Sequence, residues 1–389
     1  MIDDARSRNG SELARFTRDL TAEARAGRLE PVRCRADEIA RVIDILLRHG
    51  KNNPVLVGPA GVGKTAIVEG FAQRIATGIV PFVLREVRVL SLDHVALLAG
   101  TTYRGQYEER IRMLVEQTTA SPDVILFIDE LHNLIGQGTA VGAAMDAANM
   151  LKPSLVRGDF RVIGATTDEE YDRWVGGDPA LERRFQKVMV RELGVAETLD
   201  IIRARKERLE RHHNVVITDE AIDAAVALTD KYVTDRRRPD KALDALDEAC
   251  AHTQAVATYP ERAESLMRDR VKRLREAGAR HPGGNKGPRA NAEDPEDPRW
   301  GQMARDGMTA LERFGAELEK VFAATPDAPP PPPPPAPRPE PVVPETSTSL
   351  GEIETELAHV LAEEGIVVRG HDVARVVGLM SGREIVWER

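Results

Sequence analysis

The 389-residue chain carries a formal net charge of −9, from 54 Lys+Arg against 63 Asp+Glu, and 42% of it is hydrophobic. That length allows two or three domains with a sizeable core, and the acidic balance argues against a surface built mainly for DNA or anionic lipid. Two distant cysteines, Cys34 and Cys250, exclude a disulfide framework or a Cys-rich zinc centre, and no apolar run approaches the roughly 18 residues of a membrane span; the expectation is a soluble cytoplasmic protein that engages neither a membrane nor a specific nucleic acid.

Residues 1–29 are charged and helix-compatible, with Leu13, Phe16 and Leu20 at near-helical spacing, and read as a helical lead-in segment. Residues 30–190 alternate helical stretches with short apolar runs at 54–58, 87–92, 124–129 and 161–166. Runs that are apolar throughout suit strands covered on both faces, so this region is expected to be a large α/β domain with a mostly parallel sheet flanked by helices. Residues 191–260 lose the strand pattern and predict a small all-α lid subdomain. A connector over 261–345 follows, with a helical stripe (Met308, Leu311, Leu318, Phe322) and the proline run of 326–344. A proline run lacks amide donors and forms an extended spacer, or else a docking site for a polyproline-binding partner. Residues 346–389 predict a small helical C-terminal segment with Leu350, Ile353, Leu357 and Leu361 on one stripe and a second short helix near Val373–Leu379.

The chemistry begins at GPAGVGKT. Gly58, Pro59, Ala60, Gly61, Val62, Gly63, Lys64 and Thr65, with Ala66 behind them, follow a strand and precede a helix, the context a phosphate-binding P-loop requires. Its backbone N–H groups would wrap phosphates, Lys64 would meet the β/γ-phosphates, and the Thr65 hydroxyl would ligate Mg²⁺. VILFIDE then drives an apolar strand into Asp129 and Glu130. Two carboxylates at the end of a buried strand need a partner: Asp129 would hold the metal, and Glu130 would act as general base toward water. The intervening strand at 87–92 suggests a sheet with an inserted strand. RVIGATT ends in Thr166 and Thr167, which either position the water or simply cap a helix. Arg183 and Arg184 in ALERRF are either a solvated face or fingers reaching a neighbouring subunit's phosphate.

Residues 11–255 resemble the Clp class of AAA+ ATPases, and within it the first ATPase module of the ClpB and ClpC branches. The resemblance is carried by KNNPVLVGPAGVGKTAIVEGFAQRI, GTTYRGQYEERI, ILFIDELHNLIGQG, NMLKPSLVRGDFRVIGATTDEEY, DPALERRF and RRRPDKALDALDEA. It implies a P-loop ATPase domain with a helical lid, ATP and Mg²⁺ as ligands, and assembly as a homo-oligomeric, hexameric ring. It assigns Thr167 as a sensor threonine, Arg183 and Arg184 as fingers acting on the adjacent protomer, and Pro239 and Asp240 to the lid's closure over nucleotide. It makes Tyr103, with Arg104 and Gly105, a pore loop that grips a protein substrate, and 135–147 a second, glycine-rich pore loop. His212 and His213 are matched in relatives and read as structural.

Four features depart from that pattern. Arg33-Cys34-Arg35 stands where the family carries a hydrophobic-Gly-Arg box beside adenine. The sequence is expected to lack the N-terminal domain and the second ATPase ring, and the 261–345 connector replaces a long coiled coil. The expected function is an ATP-driven ring motor that remodels protein substrates through a central pore. The alternative is an ATP-dependent switch or scaffold that acts, without threading, on a dedicated partner held through the Pro-rich arm or the C-terminal segment.

Overall fold

The structure, a computed structural model, describes residues 13–101, 104–135, 151, 153–158, 160–279 and 349–387. The described residues fall into two compact units, one running to Pro260 and resuming at Ala358, the other covering Glu261–Leu357. In the first unit the strands β1 (Thr17–Asp19), β2 (Asn53–Val57), β3 (Arg88–Leu92), β4 (Val124–Ile128), β5 (Arg161–Thr166) and β6 (Phe185–Met189) form one sheet in the order β1-β3-β4-β5-β2-β6. All pairs are parallel except β1 with β3.

Alternation along the strands explains why this sheet is covered on both faces. Val55, Val57, Leu126, Ile128 and Val162 enter one apolar cluster, while their neighbours Leu56, Ile125, Phe127, Ile163 and Ala165 enter the other. The helices α1 (Leu20–Arg25), α2 (Ala36–Leu46) and α3 (Lys64–Ala76) cover the second face; the helix α4 (Arg104–Thr119) contributes Tyr107, Ile111 and Leu114 to the first.

Two strands are absent from the pattern of apolar runs. In β6, FQKVM, polar residues interrupt the run, because this strand lies at the sheet edge beyond β2. In β1, three residues of the lead-in segment pair antiparallel with β3, and the buried Thr21 hydroxyl just beyond them accepts from the Val89 amide (2.9 Å). Asp19 then caps α1 by accepting from Ala22 N at 2.8 Å. The strand that separates the two motif-bearing strands in space is β5, although 87–92 separates them in sequence.

The lid contains α5 (Val195–His213), β7 (Val216–Ile217), α6 (Asp219–Tyr232) and α7 (Asp240–Val256). Asn214, in a left-handed conformation (φ 54°), ends α5, and the Thr218 side chain caps α6. The C-terminal residues complete this subdomain. After the helix α9 (Leu350–Glu363), the strand β8 (Val367–Val368) pairs in parallel with β7, and the helix α10 (Gly370–Ser381) packs on α6 and α7. Val373, Ala374, Val376 and Val377 of α10 are buried, and the Trp387 indole donates to Glu220 of α6 at 2.8 Å. The lid is thus discontinuous in sequence. In the second unit, the helix α8 (Glu261–Ala279) meets the first turns of α9 through an Arg262–Glu356 ion pair at 2.6 Å.

Candidate functional site

The site forms where β2 and β4 end. Beyond β2, the loop of Gly58–Gly63 leads into α3, whose N-cap Gly63 sits at φ 91°, a conformation that a side chain resists. No side chain caps the first amides of α3, and the positive end of its dipole faces the loop. The largely buried Lys64 ammonium donates to Gly58 O (2.9 Å) and Pro59 O (3.0 Å). Burial pulls its pKa below the ordinary lysine value, while Glu130, Asp129 and Asp168 act in the opposite sense.

The structure brings the two motifs together. Thr65 Oγ1 donates to Asp129 Oδ2 at 2.9 Å, and Asp129 Oδ1 accepts from the Glu130 amide at 3.0 Å. Glu130 takes φ 50°, a left-handed conformation that a non-glycine residue adopts only under local constraint. Its carboxylate stays 47% exposed and lies 3.4 Å from His132 Nδ1. The same ring nitrogen lies 3.0 Å from the hydroxyl of Thr166, which is 1% exposed. His94 Nε2 sits 3.1 Å from Asp129 O, and burial pushes the pKa of His94 down. His94 and His132 were not among the residues the motifs single out; the HN that follows IDEL is a signal, but one without a spacing rule.

The other residues divide. Thr167 caps the short helix Asp168–Tyr171, its hydroxyl accepting from Glu170 N at 3.4 Å, while Thr166 is the threonine joined to His132. Arg184 donates to Arg157 O at 3.1 Å, whereas Arg183 is exposed. Asp240, at the start of α7, packs against Gly61 so closely that a Cβ built there would meet its Cβ at 2.9 Å. Burial, then Asp244, raises the pKa of Asp240, against the pull of Arg236, which bonds both carboxylates. Tyr103 lies outside the described residues, with Arg104 and Gly105 opening α4; the loop 136–147 and the proline run also lie outside them. His213 is held between Gln254 (3.2 Å) and Asp247 (2.9 Å), and no metal-binding cluster of His, Cys, Asp and Glu occurs among the described residues.

The phosphate loop and the Asp129–Glu130 pair line one cavity of about 340 Å³. It runs from Gly61–Ala66, Asp129 and Glu130 to Pro31, Val32, Arg33, Ile201, Arg205 and Leu243, with Pro239 and Asp240 on the lid side. Its chemistry fits a metal-bound nucleoside phosphate: a helix N-terminus and an ammonium for the phosphate, and a hydroxyl beside a carboxylate as hard oxygen donors for Mg²⁺. Among the described residues, no helix is long and apolar enough to cross a membrane.

Comparison with known proteins agrees with this geometry. Residues 54–193 match the model of the ATPase family associated with various cellular activities (AAA), and residues 194–292 match the AAA lid domain. The chain is 52% identical to the chaperone protein ClpB of Aquifex aeolicus over 268 residues, 68% of this chain and 26% of that protein. It is 47% identical to ClpB of Vibrio vulnificus over 314 residues, 80% of this chain and 36% of that protein. It therefore spans about a third of the length of the curated relatives it matches. Among solved structures it resembles the S. cerevisiae Hsp104:casein complex in its extended conformation, with TM-score 0.57 and 44% identity over 63% of this chain and 42% of that one. It also resembles the S. cerevisiae Hsp104-ADP complex, with TM-score 0.58 and 45% identity over 62% of this chain and 41% of that one.

Proposed function

Residues 54–292 make this chain a member of the AAA family of ATPases, and from that premise we propose that it is an ATP-hydrolysing ring motor that remodels protein substrates by drawing them through a central pore. The observation that carries the reading is the meeting of Thr65 with Asp129 at the N-terminus of α3, with the exposed Glu130 carboxylate beside them.

The chain's own groups divide the work. Lys64 exchanges its loop carbonyls for phosphate oxygens when nucleotide enters. Thr65 and Asp129 would hold Mg²⁺, which would neutralise charge on the phosphates. Glu130 takes a proton from the attacking water, oriented by His132, which the buried Thr166 hydroxyl positions in turn. Pro239 and Asp240 move with the lid, so nucleotide in the cavity couples the lid to the α/β domain.

A ring would place an arginine of the adjoining copy at this cavity, where Arg183 and Arg184 of this chain are not among the lining residues. The exposed Arg183 is the residue that would reach the phosphate of an adjoining copy. Arg183→Ala is expected to lower hydrolysis by about 10³-fold with ATP binding unchanged, measured as phosphate release and as equilibrium binding. Arg184→Ala acts through the lost Arg157 contact and has the smaller effect. The reverse ranking would exchange the two roles, and unaffected hydrolysis in both would remove the shared site.

The ClpB and Hsp104 likenesses support a polypeptide as the substrate. Tyr103→Ala is expected to keep hydrolysis within about twofold and to lose unfolding of a fluorescent model protein, because an aromatic grip on a side chain is apolar and sequence-tolerant. Unchanged unfolding by that variant rejects threading and favours the switch or scaffold. Shortening the connector within 280–348 then asks whether the Pro-rich arm holds the partner. A truncation from 326 onward cannot ask that, because it also removes β8 and α10 from the lid.

A further inference from the structure

The backbone passes from the α/β domain to the lid at residues 190–194, between β6 and α5. Its first two residues are fixed on the phosphate side. Val190 N donates to Val57 O at 2.8 Å, and Val190 O lies so close to Gly58 that a Cβ built there would meet it at 2.2 Å. Arg191 O accepts from the buried Arg35 at 3.0 Å. The side chain of the next residue, Glu192, is held by the lid. Its Oε1 accepts from the Arg238 amide (3.0 Å) and from Arg238 Nε (3.3 Å), and its Oε2 lies 3.6 Å from Arg237 Nη1.

Arg238 is braced within the lid. Its Nη1 lies 3.3 Å from Asp230 of α6, whose other carboxylate oxygen lies 2.9 Å from the Lys241 ammonium of α7. Lys241 is buried and also donates to Val233 O at 3.2 Å. These bonds tie the turn of 233–239 to both helices. The two residues after Arg238, Pro239 and Asp240, line the nucleotide cavity, and Asp240 abuts Gly61 of the phosphate loop. We propose that the Glu192–Arg238 pair is a latch that seats the lid against the α/β domain and sets how long nucleotide stays bound. Both residues act by positioning Pro239 and Asp240, and the proposal rests on the reading of this cavity as an ATPase site.

The argument is one of population. A lid on a short connection can swing, and a contact made only in the seated position biases it toward that position. The Glu192–Arg238 contact has the right strength and the right exposure. Burial by itself would raise the Glu192 pKa, but the Arg238 amide and guanidinium, with the charge of Arg237, outweigh it and hold the carboxyl below its usual value. Glu192 is therefore ionised near neutral pH, and hydrogen bonds between charged groups are stronger than neutral ones. The side chains of Arg238 and Glu192 are 20% and 26% exposed, so water can take over both groups when the lid lifts, and dissolved salt screens the pair. The buried Arg35, by contrast, is spent on Val62 O and Arg191 O and has no group in the lid to release. Arg35 thus fixes the start of the connection, and Glu192 grips across it.

The test uses the full chain with a fluorescent N-methylanthraniloyl-ADP as probe, and reads its dissociation rate on mixing with excess unlabelled ADP. Glu192→Gln and Arg238→Met are each expected to speed release by about 5-fold or more, the scale of one charge-assisted hydrogen bond between part-buried groups. The double variant should release within about twofold of the faster single one, because both substitutions remove the same contact. Added salt should speed release from wild type more than from the double variant. Glu192→Gln keeps the side-chain shape and still accepts from the Arg238 amide, and Arg238→Met leaves Asp230 to Lys241, so both should keep the wild-type melting temperature, which is measured alongside. Faster release at an unchanged melting temperature separates a latch from a loosened lid. Unchanged release from Glu192→Gln, or single effects that multiply in the double variant, overturns the latch. Either result in a chain that still hydrolyses ATP removes only this assignment, whereas a wild-type chain that neither binds nor hydrolyses ATP removes the ATPase reading itself.

Discussion

Glu130→Gln is expected to reduce ATP turnover by about 10²–10⁴-fold, the usual worth of a positioned general base, while ATP binding stays within about threefold. The amide keeps the shape of the carboxylate and an acceptor oxygen to meet His132, but it cannot take a proton from water. In barrier terms this is about 3–5 kcal/mol. Phosphate release under saturating Mg·ATP and equilibrium binding of ATP measure the two halves, and turnover within tenfold of wild type would remove Glu130 from its role. Backbone conformation supplies a control. Because Glu130 sits at φ 50°, Glu130→Gly relieves a left-handed strain of about 1 kcal/mol or more while deleting the carboxylate. That variant should melt no lower than wild type and be just as inactive, which separates loss of chemistry from loss of fold. The substrate-trapping behaviour expected of Glu130→Gln follows from the same split, since bound nucleotide holds the lid against the α/β domain without being consumed.

Deleting residues 358–389 is expected to unfold the lid. The buried residues removed include Leu361, Ile366, Val368, Val373, Val376 and Val377. At about 1.5–3 kcal/mol for each fully buried aliphatic side chain, their loss is on the order of 10 kcal/mol, comparable to the whole stability of an ordinary domain. The deletion also strips β8 from β7 and exposes the faces of α6 and α7 on which α10 rests. ATP hydrolysis should fall with it, because Ile201, Arg205, Pro239, Asp240 and Leu243 of the lid line the cavity. Hydrogen exchange over 195–256 measures the effect, and protection equal to that of the intact chain would make α10 an accessory rather than part of the lid. Trp387 gives a milder probe: Trp387→Phe loses only the bond to Glu220 and should leave the lid folded.

What could be read directly from the chain was whatever lies contiguous along it. GPAGVGKT is a loop and helix start in one stretch, and VILFIDE is a strand with its carboxylates attached, so residue type and spacing suffice to predict a phosphate loop and a metal-side acidic pair. The four apolar runs named their strands because burial on both faces removes the polar alternation that would blur them. The contacts between these pieces depend on strand order, which nearest-neighbour pattern does not contain. That β5 lies between the two motif strands, that Thr166 rather than Thr167 meets His132, and that Arg184 is tied to Arg157 while Arg183 is not, all follow from how the sheet is laid out.

By itself, then, the amino-acid sequence determined the α/β architecture and the phosphate-binding and acidic segments, because each is a local pattern of side-chain polarity and backbone freedom. The tertiary structure alone decided that a strand and helix near the C-terminus belong to the lid, and that Cys34 and Glu130 take left-handed backbones. It alone decided that Arg35 is consumed in the interior while Arg33, two residues before it, is exposed. Two-residue strands that pair across 151 positions carry no periodic signal; their pairing is selected by the apolar surface buried when α10 seats on α6 and α7.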